Sequence, residues 1–265
     1  MTVLSAGVKA ARAAVVVVGG HEDGARVAVD APAGYGPLLR AESGRQHLDE
    51  TVGQALDSSD LPVCVVPMTL GRDPRLVADT ARTLTSLTRG AAAGRVALAE
   101  SFGTATLLTG WLRVAVAGVA GQHGGTDLAM LVTANAANRF DDAELFRIAH
   151  LVKVQEDLPW VEVAFHGGAP DLAEGVDRCG RLGARRVAVI PADFGPATDT
   201  PMPGVIVGGP LLAPSAISGM LATRVAGAML KLGRGDDGIA AGLDADHAHG
   251  HGGESWRKKT DRAAA

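Results

Sequence analysis

The sequence predicts an α/β protein of two tandem domains, each a parallel sheet flanked by helices, with a cleft between them. Three observations predict it. Short Val-, Ile- and Ala-rich runs alternate with amphipathic stretches along the chain, the pattern of βαβ units. The runs are apolar almost without interruption, as strands are when both faces of a sheet are covered. The chain also reads as a duplication. AAVVVVGGHEDG (13–24) and DLAMLVTANAAN (127–138) both break from an apolar run into small, turn-prone residues. LDETVGQALDSSDLPVCVVP (48–67) and LAEGVDRCGRLGARRVAVIP (172–191) both carry a helical stretch into an apolar run ending in proline. The 265 residues suit two domains of about 120 residues each.

In the first half, apolar runs place strands at 13–19, 37–42, 62–67 and 94–99. Amphipathic spacing places helices at 47–57, 74–88 and 104–118. The second half repeats the order, with strands at 128–133, 160–165, 186–191 and 204–208 and helices at 141–156, 171–183 and 215–232. Between the halves, VAGQHGGT (119–126) reads as a Gly-rich linker that exposes His123. The expected domains are therefore 1–120 and 127–233. From 234 to 265 the chain turns small and polar, which predicts a disordered, His-rich tail.

Composition narrows the function. Hydrophobic residues make up 47% of the chain and aromatics only 3%, so Val, Leu and Ala must fill the cores. The net charge of −4 has both signs interspersed, and no basic stripe with interleaved aromatics exists, so nucleic acid is not an expected partner. The apolar run Ala13–Gly20 falls far short of the ~20 residues that span a bilayer, so no membrane is expected. The N-terminal apolar stretch flows into GGHEDG rather than a small-residue cleavage site, so it reads as a strand and not a leader. Cys64 and Cys179 form no disulfide framework and are expected as buried small hydrophobes, which fits a reducing cytoplasm. P-loop, G-x-G-x-x-G, G-x-S-x-G and H-E-x-x-H motifs are all missing, which argues against phosphoryl transfer, classical dinucleotide use and serine hydrolysis.

In open α/β sheets, ligands bind outside the carboxyl ends of the strands. The polar residues just after strands are therefore the candidates. His21 follows the first strand, and imidazole is both a near-neutral base and the commonest metal ligand. Glu22 and Asp23 add carboxylates beside it, or cap the next segment. Glu42 ends the second strand. After the third, Arg72 and Arg75 offer guanidinium forks that match carboxylates, and Asp79 lies one turn into the following helix. His166 ends a strand of the second half and can enter the cleft, and Glu100 is a weaker candidate. His47 and His150 read as structural or solvated. His247, His249 and His251 alternate in a glycine-rich tail, a composition that binds divalent metals without fixed geometry.

One stretch carries a resemblance. VEVAFHGGAPDLAEGVDRCGRLGARRVAVIPADF (161–194) resembles the strand, Pro-containing helix start, LGARR and proline-ended strand of the sirohydrochlorin chelatase family, the class II tetrapyrrole chelatases of cobalamin and sirohaem synthesis. GVIVGGPLLAP (204–214), the helix after it and the His-rich tail resemble that family's closing segment. The resemblance runs over nearly the whole chain and implies two flavodoxin-like, chelatase-like halves. His21 falls where the family has its first-strand histidine, here in GGHEDG rather than GHGS. Glu42 falls at the family's second-strand acid and Asp79 at a usual aspartate. The family's second histidine falls at position 75, where this chain has Arg75, and the second half carries Asn135 and Asn138 near the place of the first.

The resemblance implies insertion of a divalent metal, Co2+ in preference to Fe2+, into sirohydrochlorin. In that reading His21 is base and transient metal ligand, with His166 a weaker ligand candidate, and Glu42 assists proton removal. Arg72, Arg75 and Asp79 bind the substrate, and the tail histidines bind metal outside the catalytic site. The metal is a substrate, so no permanently bound cofactor is expected. The internal duplication is expected to leave the chain a monomer. The missing second histidine motivates an alternative: a non-catalytic protein of the same fold that binds and delivers a tetrapyrrole or a metal.

Overall fold

The structure is a computed structural model of the chain, and it describes residues 13–88, 92–198 and 202–245. Two four-stranded sheets, all parallel, form its framework. The first holds β1 (Ala14–Gly19), β2 (Leu38–Glu42), β3 (Val63–Met68) and β4 (Val96–Leu98) in the order β2-β1-β3-β4. The second holds β5 (Leu128–Asn135), β6 (Val161–His166), β7 (Arg186–Pro191) and β8 (Val205–Val207) in the order β6-β5-β7-β8. The two orders are the same walk through the sheet, so the duplication seen in sequence is a duplication of topology. It is the order of the flavodoxin-like doubly wound sheet.

Each strand divides its side chains between two cores because successive residues face opposite ways. On β1, Val15 and Val17 enter a core shared by both halves, while Ala14, Val16 and Val18 pack outward. The outward layer of the first sheet is covered by α1 (Arg45–Ser58) and α2 (Pro74–Leu87). On β5, Met130 and Val132 enter the shared core, and Ala129 and Leu131 face α5 (Leu172–Arg181).

The helices of the shared core cross between the halves. The last helix of the first half, α3 (Ala105–His123), packs on α4 (Arg139–Gln155) and β7. The last helix of the second half, α6 (Pro214–Leu232), packs on β3 and β4 of the first sheet. Leu108, Leu112 and Val116 of α3 join Leu145, Ile148 and Val152 of α4 and Ile217, Leu221 and Val225 of α6 in that core. Sequence reading placed two halves side by side; the exchange of terminal helices is a tertiary fact.

Two expectations are corrected. The linker at 119–126 is shorter than its glycines suggested, because α3 continues through Val119, Ala120 and Gln122 to His123. Gly124 ends it with φ 53°, and its N–H donates to Ala120 O. The tail is not disordered from residue 234. Ile239–Leu243 forms α7, which docks on α2 with Ile239 buried, while Leu98 N–H donates to Asp237 O at 2.8 Å. Ile239 and Leu243 are one helical turn apart and share a face, enough to hold a short helix against a preformed core. The tail histidines His247, His249 and His251 lie outside the described residues. Cys64 and Cys179 are free and buried as expected, and burial pushes the Cys64 thiol up to about 12. No described helix is long and apolar enough to cross a membrane.

Candidate functional site

A cavity of about 650 Å³ opens at the carboxyl ends of β1, β2 and β3. It is lined by His21 from the β1 loop, Arg45 from α1, Asp73, Arg75 and Asp79 from the start of α2, and Asn138 and Asp141 from the start of α4. Both halves therefore contribute, and the volume falls in the range of small-molecule sites.

The β1 loop is shaped by close approach. A Cβ on Gly20 would lie 2.3 Å from Asp73 Oδ2, and one on Gly19 would lie 2.2 Å from Ala25 N, so neither position has room for a side chain. Gly19 lets the β1 loop fold back on itself at Ala25, and Gly20 lets it touch the start of α2. There His21 Nδ1 meets Asp73 Oδ2 at 3.1 Å. Asp73 is itself fixed as the N-cap of α2, with Oδ1 accepting from Leu76 N–H at 2.9 Å and Pro74 at the first helical position. A carboxylate held on Nδ1 orients the ring and leaves Nε2 as its second nitrogen. Nε2 is buried and has no hydrogen-bond partner among the described residues.

Charge tunes this pair. Burial lowers the His21 pKa, but the Asp73 hydrogen bond and the charges of Glu22 and Asp73 outweigh it, and the value stands above 6.5. For Asp73, burial acts upward, yet the hydrogen bond and charge of His21 and the Leu76 N–H hold the carboxyl below its ordinary range. Asp141 is raised, first by burial and then by the neighbouring Asp73 charge. Its Oδ2 also accepts from Asn138 Nδ2, while Asn138 Oδ1 caps α4 at Phe140 N–H, 2.9 Å away.

The other predicted residues fall in several places. Arg75 and Asp79 line the cavity and are exposed, with Arg82 paired to Asp79. Arg72 does not line it. Its side chain is 0% exposed, and Nη2 donates to Asn135 O at 3.3 Å with Asp142 at 3.7 Å. A buried guanidinium that bonds the opposite half cannot meet a substrate carboxylate, so the expected substrate role of Arg72 is corrected to a structural one. Glu42 is an exposed side chain beside Arg26 at 3.8 Å; it does not line the His21 cavity but a depression that adjoins it at Gly20 and Ser43. His166 pairs with Asn135 across β5 and β6 and lies near Asp193, not in the cavity. His47 and His150 are solvated, and Glu100 pairs with Arg224 and Lys231 at 2.9 Å each.

Three residues carry more than sequence reading assigned them. Asp73 is not among the strand-end candidates, although Asp-Pro before a helical run is a cap signature that fixes where the carboxylate sits. Asp141 follows Asn138 in the same kind of helix start, but nothing local says that this helix start faces the other half. Glu22 is buried at 1% exposure, with Oε2 accepting from Thr69 Oγ1 and from Leu70 N–H at 3.0 Å. Burial raises its pKa, opposed by the charge of Arg72 and the Thr69 hydrogen bond.

No protein-family profile matches the chain, and no curated protein matches it by sequence. Solved structures similar to it in fold include the following two. The sirohydrochlorin chelatase SirB from Bacillus subtilis subspecies spizizenii, solved in complex with cobalt, aligns at 12% identity and a TM-score of 0.49 over 85% of this chain and 97% of that one. DR2241 from Deinococcus radiodurans, a multi-domain protein with structural similarity to chelatases and two additional novel domains, aligns at 18% identity and a TM-score of 0.48 over 82% of this chain. This chain spans 55% of the length of DR2241.

Proposed function

We propose that this protein inserts a divalent metal, Co2+ in preference to Fe2+, into sirohydrochlorin. The observation that carries the reading is the His21–Asp73 pair, set in an arginine-lined cavity at the strand carboxyl ends. The resemblance of residues 161–214 to the sirohydrochlorin chelatases names the substrate. Metal insertion requires that both pyrrole protons leave as the ion enters the macrocycle. His21, oriented through Nδ1, offers Nε2 as proton acceptor, and its raised pKa suits a base near neutral pH. Arg45 and Arg75 stand at the cavity wall, where they match the carboxylates on the periphery of the macrocycle. Glu42, exposed and outside the cavity, takes no part in this reading.

The test is to mix purified protein with sirohydrochlorin and Co2+ or Fe2+ and to follow the absorbance change. Acceleration over the metal-only control is expected. A rate equal to that control would remove the reading.

A second reading, a non-catalytic holder of tetrapyrrole or metal, has one observation in its favour. Among the described residues His21 is the only imidazole lining the cavity, and Arg75 occupies the position of the second family histidine. Tight binding of sirohydrochlorin without insertion would favour it.

A further inference from the structure

The cavity brings a third ionisable group, Asp141, to the His21–Asp73 pair, and neither the substrate nor the proton acceptor explains its presence. Asp73 and Asp141 are 8% and 9% exposed, and each aims a carboxylate at the same corner as His21. One ligand-capable atom from each of the three lies within 4.8 Å of the other two. Among the described residues no other group of imidazole, thiol and carboxylate side chains converges in this way. Burying two carboxylates side by side is costly unless a cation joins them. Asn138 holds Asp141 and the Leu76 N–H holds Asp73, so both carboxylates are oriented before any ion arrives.

We propose that His21, Asp73 and Asp141 together hold a divalent transition-metal ion, and that Asp141 is the ligand by which the second half closes the site. The inference rests on reading this cavity as the place where metal is handled. One imidazole and two carboxylates suit Co2+, Fe2+ or Zn2+ and carry enough negative charge to neutralise the ion. Three protein ligands leave positions open toward the cavity, where an incoming ligand can reach the metal. Because Asp141 begins α4 while His21 and Asp73 belong to the first half, the bound ion ties the halves together.

The probe is Co2+ alone, titrated into the full chain with His247, His249 and His251 changed to alanine. A site with visible Co2+ absorption is expected, and its occupancy should raise the melting temperature. Asp141→Asn keeps the shape of the side chain and should weaken Co2+ affinity at least about tenfold while leaving the metal-free melting temperature close to that of the parent. X-ray absorption of the Co2+-loaded parent gives an answer that needs no Asp141 variant: one imidazole among oxygen donors is expected. Unchanged affinity in Asp141→Asn, or a first shell with two or more imidazoles, would overturn the proposal. The reaction is judged separately. Co2+ binding that depends on Asp141 in a chain that inserts no metal would uphold the site and remove the proposed function. Insertion by a chain whose Co2+ affinity ignores Asp141 would do the reverse.

Discussion

The strand-end loops of the two halves stand on the same framework but are used differently. In the first half, the loops after β1 and β3 present His21 and Asp73 to the cavity. In the second, Asn135 at the end of β5 and Asp193 and Phe194 after β7 turn to the seam. Asn135 N–H donates to Asp193 Oδ2 at 2.9 Å, and Asn135 Nδ2 donates to His21 O at 3.0 Å and to Asp23 Oδ2 at 2.6 Å. Phe194 N–H donates to Glu22 O at 3.1 Å. The second half reaches the cavity farther along, with Ala137 and Asn138 of the β5–α4 loop and Asp141 in the first turn of α4. Duplication thus leaves two equivalent sets of strand ends, one holding chemistry and the other holding the first in place. A titratable ring is useful only if its backbone is fixed, and here the fixing groups belong to the opposite copy.

The comparison breaks most visibly at Arg72, which links the seam to the β3 loop. Arg72→Met should cost roughly 3–5 kcal/mol in urea unfolding, because it leaves the buried Glu22 without its nearby positive charge. Adding Glu22→Gln should recover part of that loss. A neutral Arg72→Met would mean that the seam does not depend on this charge pair.

His21→Ala should lower metal insertion by about a hundredfold or more, the usual contribution of a positioned base. His166→Ala, at the corresponding end of the second sheet, should leave the rate within about threefold of the parent, since its side chain is outside the cavity. Equal losses in the two variants would erase the division of roles between the halves.

Asn135→Ala sharpens the seam side of the comparison. It removes two side-chain hydrogen bonds to the β1 loop and should cost about 1–3 kcal/mol of stability, measured by denaturant unfolding. The insertion rate should fall with it, because His21 O loses its donor.

The smallest effect is in pH. In metal-free buffer the His21–Asp73 pair stabilises the fold through two shifts. The raised His21 pKa contributes stability that is fully present below pH 6.5 and is lost as pH rises through the folded-state value. The lowered Asp73 pKa contributes stability present above pH 3.8 that is lost as pH falls through its folded-state value. The melting-temperature difference between the parent and His21→Gln should therefore be greatest between these limits and shrink on the alkaline side. A difference that grew with pH would put the wrong charge state on His21.

Much of the fold was legible in the chain. The strand at 13–19 is observed as Ala14–Gly19 and the helix at 215–232 as Pro214–Leu232, because hydrophobic period is a local property. The fate of α7 was not legible, since Ile239 and Leu243 gain their partners only from α2 and β4. At the site, the position of His21 after a strand was enough to mark it. Glu42 and Arg72 satisfied the same strand-end rule, yet one is solvated and the other buried in the seam. A strand-end rule names the neighbourhood of a residue and not the direction of its side chain.

The sequence by itself determined a duplicated, strand-helix framework and a histidine at the mouth of its first copy. Periodicity, glycines and proline act within a few residues, so they can be read in order. The tertiary structure alone decided that terminal helices cross between the halves, that Asn135 and Asp193 fasten the loop beside His21, and that Asp141 arrives next to Asp73. These contacts join residues far apart in the chain. They arise from shared burial of apolar faces, and no local pattern records which distant face will supply the partner.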